Sequence, residues 1–394
     1  MLEEIVIVNA ARTAMGRFQG QLSSLTAAKL GLAVCKSVTH AESLSRIVDH
    51  VVLGQGLQAG HGQNPARQIA MQAGIDSSAV AYSLNQVCSS GLLAVIQASQ
   101  CIALRDSEVA IAGGTESMSN APFLLNRSTI QPEALGELRL MDSLMQDGLT
   151  CAINGEKMGM TAERIAKAYQ ISRGEQDAYA LLSSQRLKAS ALAGQSAQEI
   201  VPVHYLANGK VQIADKDQLV DSNVDEQSLS ALLPAFTAHG TVTAGNSSGI
   251  NDGAAAVLLM SAKRAAQEGI EPMARVLAWS SVGYLPEMMG MSPVPAINQL
   301  LQRARMTIQD IDQFEINEAF AVQVLAIMRD LGLDPDKVNP RGGALAMGHP
   351  IGASGARILV TLLHSMKMKD ESLGIATVCA GGGQSTAILV ERLS

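Results

Sequence analysis

Short apolar runs rich in β-branched residues alternate along this chain with longer segments whose apolar positions recur at helical spacing. Ile5 to Asn9 reads as a strand, Leu25 to Ser37 as an amphipathic helix, His50 to Leu53 as a second strand, and a further helix is expected from about Pro65. Cys88-Ser89-Ser90-Gly91 then leads into a helix over Leu92 to Leu104 that is apolar nearly all round, which predicts burial on every side. The strand Val109 to Ala112 and the pair Gly113-Gly114 follow it. The last third repeats this arrangement: Gly352-Ala353-Ser354-Gly355 opens a helix to Met366, and the strand Ile375 to Val378 runs into Gly381-Gly382-Gly383. Alternation of this kind predicts an α/β layered fold, and the repeat predicts two copies of one unit. Between the copies the pattern turns to polar loops and more soluble helices, Thr161 to Tyr169 and Ser172 to Ala193, the latter with Ser172 and Glu175 spaced as a capping box. The expected division is residues 1–119 with 246–270 as one core half, 120–245 as an inserted loop or lid domain, and 271–394 as the second half.

Composition narrows the function classes. With 29 Lys and Arg against 36 Asp and Glu, the net charge of −7 argues against nucleic acid as the main partner, and 3% aromatic residues leave few platforms for stacking bases. Charged residues make up 16% of the chain, below the usual quarter or so, a deficit that points to surface covered by other subunits. The five cysteines are irregularly spaced with no CxxC pair, as expected of free thiols in a reducing compartment. No leader and no apolar stretch near about 18 residues is read from the sequence, so a cytoplasmic protein without a membrane partner is expected.

Four positions carry candidate chemistry. Cys88 stands where a strand ending near Leu84 turns into the apolar helix, and a helix N-terminus favours a thiolate. Cys379 ends a strand and precedes Ala380-Gly381-Gly382-Gly383, where backbone N–H groups can approach an anion. His349 lies in a loop stiffened by Gly348 and Pro350, and Asn317 follows a predicted strand. Each has a plainer reading: a small buried cysteine, a tight glycine turn, a solvated histidine, a helix cap.

Taken together, Asn85-Gln86-Val87-Cys88-Ser89-Ser90-Gly91-Leu92, Asn317-Glu318-Ala319-Phe320, Gly348-His349-Pro350-Ile351-Gly352-Ala353-Ser354-Gly355 and Cys379-Ala380-Gly381-Gly382-Gly383 resemble the four catalytic blocks of the thiolase family, in its order. Val242 to Gly253 adds to the resemblance, which runs from Ile5 to the C-terminus. It implies a duplicated five-layered α-β-α-β-α core with an inserted loop domain, acyl-coenzyme A substrates and a homotetramer built as a dimer of dimers. The activity implied is the reversible Claisen condensation of two acetyl-CoA to acetoacetyl-CoA and CoA through an acyl-Cys88 intermediate; the alternative is a broad-range 3-ketoacyl-CoA thiolase of fatty-acid β-oxidation. No metal and no cofactor beyond coenzyme A as substrate and product are implied.

The resemblance also assigns roles. Cys88 would be the nucleophile, His349 the base that activates it, and Cys379 the carrier of the second proton. One oxyanion would be met by His349 with a water held by Asn317, the other by the backbone N–H groups of Cys88 and Gly381. Met158, Met289, Phe236, Phe320 and Leu149 match positions lining the acyl and pantetheine channel of short-chain members; Ala244 falls in the same set, and Ser248 matches the residue that bonds the pantetheine amide. Lys157 stands where His is usual in short-chain members, Asp221 and Leu233 where basic residues are common, and Ser89 where Gly is commoner.

Overall fold

The computed structural model describes residues 3–40, 44–127, 139–207, 209–220 and 222–394; Asp221 lies outside them. One continuous mixed sheet carries the fold in two halves. The first has strands β1 (Ile5–Thr13), β2 (His50–Gly54), β3 (Val80–Leu84), β4 (Val109–Ser117) and β5 (Asn251–Ser261), in the order β3-β2-β4-β5-β1. The second has β6 (Ala274–Gly283), β7 (Gln313–Ile316), β8 (Leu373–Ala380) and β9 (Gln384–Arg392), in the order β7-β8-β9-β6. Corresponding neighbours pair in the same sense: β2 with β4 and β7 with β8 are parallel, β4 with β5 and β8 with β9 antiparallel. The copies meet where Val6 and Ile7 of β1 pair with Arg275 and Ala274 of β6.

Helices α1 (Ala27–Val38), α2 (Pro65–Gln72) and α3 (Ser90–Leu104) belong to the first copy. Helices α4 (Met158–Tyr169) and α5 (Arg173–Leu192) lie in the intervening segment, and α6 (Pro293–Ala304), α7 (Ala321–Leu331) and α8 (Ile351–Lys369) belong to the second copy. Three apolar cores show how they stack. One joins α1 and α2 to the outer face of the sheet's first half, one joins α6 and α7 to the outer face of its second half, and the third gathers α3 and α8 between the inner faces. Strand β5 shows the sorting residue by residue: Ala254, Ala256, Leu258 and Met260 face the outer core while Ala255, Val257 and Leu259 face the central one, as the two-residue period of a strand requires. The result is the five-layered α/β arrangement. Val87–Leu104 is 18 residues long and apolar enough to span a membrane by length and composition, contrary to the reading that no such stretch exists; 61% of it is buried in this fold. A segment covered by protein on all sides can be as apolar as one covered by lipid.

The close approach of α3 and α8 rests on two glycines related by the duplication. A Cβ on Gly91 would stand 2.8 Å from the Ala356 backbone nitrogen, and one on Gly355 would stand 2.5 Å from that of Leu92. The N-terminal ends of the two central helices therefore lie side by side, which puts Cys88, just before α3, near His349, just before α8.

Candidate active site

The turn carrying Cys88 is pinned from both sides. Asn85 accepts the Val87 N–H at 2.8 Å and donates to the Gly56 carbonyl at 3.0 Å, while Ser90 Oγ accepts the Gln86 N–H at 2.8 Å and donates to the Val87 carbonyl at 2.7 Å. Val87 has φ of 49°, a left-handed conformation that is strained for a β-branched residue. Cys88 keeps some exposure because it opens on a cavity, but burial dominates its sulfur and pushes the thiol up to about 12, against the N–H groups of Gly381 and of Cys88 itself, which favour the thiolate. Desolvation thus outweighs the backbone donors that the helix end supplies, so the resting group is a thiol that needs a base. The Ser89 hydroxyl donates to the Val378 carbonyl at 3.1 Å and is tied to β8.

His349 supplies a base in a fixed orientation. Its backbone N–H donates to Asn251 Oδ1 at 3.1 Å, and its Nδ1 lies 2.5 Å from Ser354 Oγ. Ser354 in turn donates to the Pro350 carbonyl at 2.9 Å, a group that can only accept. The serine lone pairs therefore face Nδ1, which carries the ring hydrogen, and Nε2 is left free to take a proton. Burial, then the charge of Arg357, brings the imidazole down to about 3, so it is neutral across the physiological range.

Cys379 ends β8 and is buried; desolvation raises its thiol strongly, and a negative charge on the neighbouring Cys88 raises it further. Beyond it, Gly382 and Gly383 have φ of 82° and 76° and form the turn into β9, leaving the Gly381 N–H directed at the Cys88 sulfur. Asn317 follows β7 but caps no helix. Its Nδ2 lies 3.4 Å from Nδ1 and 3.5 Å from Nε2 of His349. Glu116 of β4 was not singled out by the sequence, yet it accepts the N–H groups of Gly56 at 2.8 Å, Leu57 at 3.2 Å and Gly352 at 2.8 Å, tying the start of α8 to the loop after β2. Burial raises this carboxyl to about 7 in spite of those donors.

Cys88 and His349 open on one cavity of about 390 Å³. Its walls include all eight residues expected to bind substrate: Leu149, Lys157, Met158, Phe236, Ala244, Ser248, Met289 and Phe320. Phe236 and Phe320 meet edge to face with ring centres 6.3 Å apart. Lys157 stands exposed just before α4 and is the one charged side chain among these eight. Asn317, Cys379 and Gly381 do not line this cavity; Asn317 neighbours His349, and Cys379 and Gly381 neighbour Cys88. Leu233, by contrast, is 83% exposed and is no part of the wall.

Residues 5–263 match the family described as thiolase, N-terminal domain, and residues 270–392 match thiolase, C-terminal domain. The chain belongs to the thiolase family. It is 47% identical over 394 residues to the acetyl-CoA acetyltransferase of Escherichia coli (strain K12), covering 100% of both chains, and 47% identical over 392 residues to that of Rhizobium meliloti (strain 1021), covering 99% of each. The crystal structure of the Bacillus anthracis acetyl-CoA acetyltransferase superposes with a TM-score of 0.96 at 37% identity, over 100% of this chain and 99% of that one.

Several residues that build this thiolase site escaped the sequence reading. Asn251 and Ser354 stood inside quoted motifs without a role, and Glu116 and Arg357 act through contacts that only the folded chain makes. Met118, Met145, Ile250 and Ile351 complete the apolar wall, but nothing local in the sequence separates them from ordinary core.

Proposed function

We propose that the protein is an acetyl-CoA C-acetyltransferase that condenses two acetyl-CoA to acetoacetyl-CoA and CoA, reversibly, through acetyl-Cys88. The observation that carries this reading is that Cys88 and a neutral, oriented His349 open on the same largely apolar cavity, walled mainly by Met, Phe and aliphatic residues. His349 Nε2 takes the Cys88 proton, and the thiolate attacks the thioester carbonyl. The tetrahedral oxyanion is held by the N–H groups of Cys88 and Gly381. Cys379 enters the cycle as a thiol, because burial disfavours its charge, and gives its proton to the departing CoA sulfur. The Cys379 thiolate left behind is a strong base that removes a proton from the methyl carbon of the second acetyl-CoA. The enolate oxygen is met by the His349 imidazolium and a water on Asn317, the carbon attacks acetyl-Cys88, and the expelled thiolate recovers its proton from His349. Protons and charges balance over the cycle without a metal or a further cofactor.

In this reading the bulky walls around Phe236, Phe320 and Met289 keep the acyl end short. Segment 120–245 serves as a lid, and coenzyme A is bound as substrate and product. Quaternary structure is a homotetramer in the cytoplasm, supported by the low charged fraction of 16% and by Val80 on the edge strand β3 and Leu104, exposed at 51% and 65%. No nucleic acid and no membrane takes part. The test is mass spectrometry after incubation with acetyl-CoA: an acetyl adduct on Cys88 is expected, and its absence under conditions that keep the thiol reduced contradicts the reading.

A further inference from the structure

Beneath the active site lies a buried charged cluster that the reaction scheme does not use. Arg357 of α8 is fully buried, and its Nη2 donates to Asn317 Oδ1 at 3.4 Å, while its Nε and Nη1 have no partner. Two acidic side chains flank Asn317 along the chain. Glu318 is saturated by Tyr179, Ser183, Asn339 and the Leu345 N–H, at 2.7 to 3.1 Å. Glu315 accepts from Gln313 at 3.0 Å through one oxygen and leaves Oε2 unpartnered. A buried guanidinium that makes no two-pronged ion pair, yet touches a catalytic amide, is placed for something other than ion pairing.

We propose that Arg357 is a positioning residue for the enolate-binding site: it holds the Asn317 amide oxygen, so that the amide N–H₂ faces His349 and the reacting oxygen. This rests on the acetyl-transfer reading above. An Asn amide is nearly symmetric in shape, so only its partners decide which end faces the site. With Oδ1 on Arg357, a water at Asn317 accepts from Nδ2 and keeps both its hydrogens for the developing oxyanion. With the amide reversed, the water would spend one of them on Oδ1. A second effect follows from charge. The charge that acts on the imidazole is that of Arg357, which opposes a second positive charge on His349 before Cys88 has given up its proton; Arg357 itself is faced by the positive Arg12 and by the acidic Glu315, Glu318 and Glu199.

The experiment is the pH dependence of acetoacetyl-CoA thiolysis for wild type, Arg357→Lys, Arg357→Met, Asn317→Ala and the double variants. Arg357→Met should lower kcat on the order of 10- to 100-fold with little change in KM. It should also move the acid limb of the profile to higher pH, since removing a positive neighbour lets His349 protonate more easily. Arg357→Lys keeps the charge and should lower kcat while leaving the acid limb in place; it carries the test if the Met variant does not fold. In the Asn317→Ala background either substitution should cost no more than about 2-fold, because the two residues act as one unit. Losses that add fully in the double variants, with an unmoved acid limb in Arg357→Met, would overturn the proposal. An inert wild type would count instead against the acetyl-transfer reading.

Discussion

At the scale of single residues, the site is governed by desolvation. Burial raises both active-site thiols and lowers the imidazole, so every proton carrier rests in its neutral form and charge appears only when a neighbour moves a proton. Such an arrangement makes the two thiols unequal in a testable way. Replacing Cys379 by Ser leaves the Cys88–His349 pair intact, and a CoA thiolate departs without much help from an acid. Acetylation of Cys88 in Cys379→Ser should therefore persist, while condensation slows by about 100-fold or more, because a hydroxyl is a poor proton carrier near neutral pH. Mass spectrometry and a steady-state condensation assay on the same preparation separate the two steps. Full condensation activity would remove Cys379 from the mechanism.

At the scale of elements, the decisive contact is the crossing of α3 and α8. Gly91 and Gly355 each face backbone of the other helix, with no flexible side chain to yield. Gly355→Val should cost about 1 to 3 kcal/mol or more by overpacking, read as a lower urea midpoint, and should depress activity by parting Cys88 from His349. An unchanged midpoint would show that the crossing tolerates a side chain and that the glycines are not what sets it. The elements themselves were largely readable from periodicity: β1, α1, β2 and α5 with its Ser172–Glu175 capping box lie where the pattern placed them, β1 running on to Thr13, α1 starting at Ala27, and the other ends matching or differing by one residue. The four reactive blocks were readable only together, through their resemblance in type and order to the thiolase family, since each alone had a plainer reading. Glu116, Asn251 and Arg357 were not, since their partners lie 59 or more, 98 and 40 positions away in the chain. The weight of burial on Cys88 was not readable for a related reason: a helix end is visible in sequence, whereas the depth at which the fold buries it is not.

At the scale of the whole molecule, the buried charges set a pH dependence of stability. Glu199 is buried, which pushes its carboxyl up, but Arg12 and Arg341 outweigh this and bring it down to about 2. Its contribution is present above the ordinary carboxylate range and is lost as pH falls from about 4.5 towards 2. Glu116 and Glu315 behave oppositely: burial raises them to about 7 and about 8, so the folded protein holds more protons than the unfolded chain above 4.5, and stability declines as pH rises through that window. Thermal unfolding followed from pH 4 to 9 should show this decline, and Glu315→Gln should flatten part of it. A profile in which Glu315→Gln runs parallel to wild type at every pH would contradict the assignment. Duplication also frames the function at this scale, since each half presents the start of one central helix and the reaction occupies the place where those starts meet. The most direct test of the account is thiolysis by purified protein of acetoacetyl-CoA and of a sixteen-carbon 3-ketoacyl-CoA, each with free CoA. Rapid cleavage of the four-carbon substrate with little or none of the longer one is predicted; failure on acetoacetyl-CoA, or equal rates on both, would contradict the acetyl-transfer assignment.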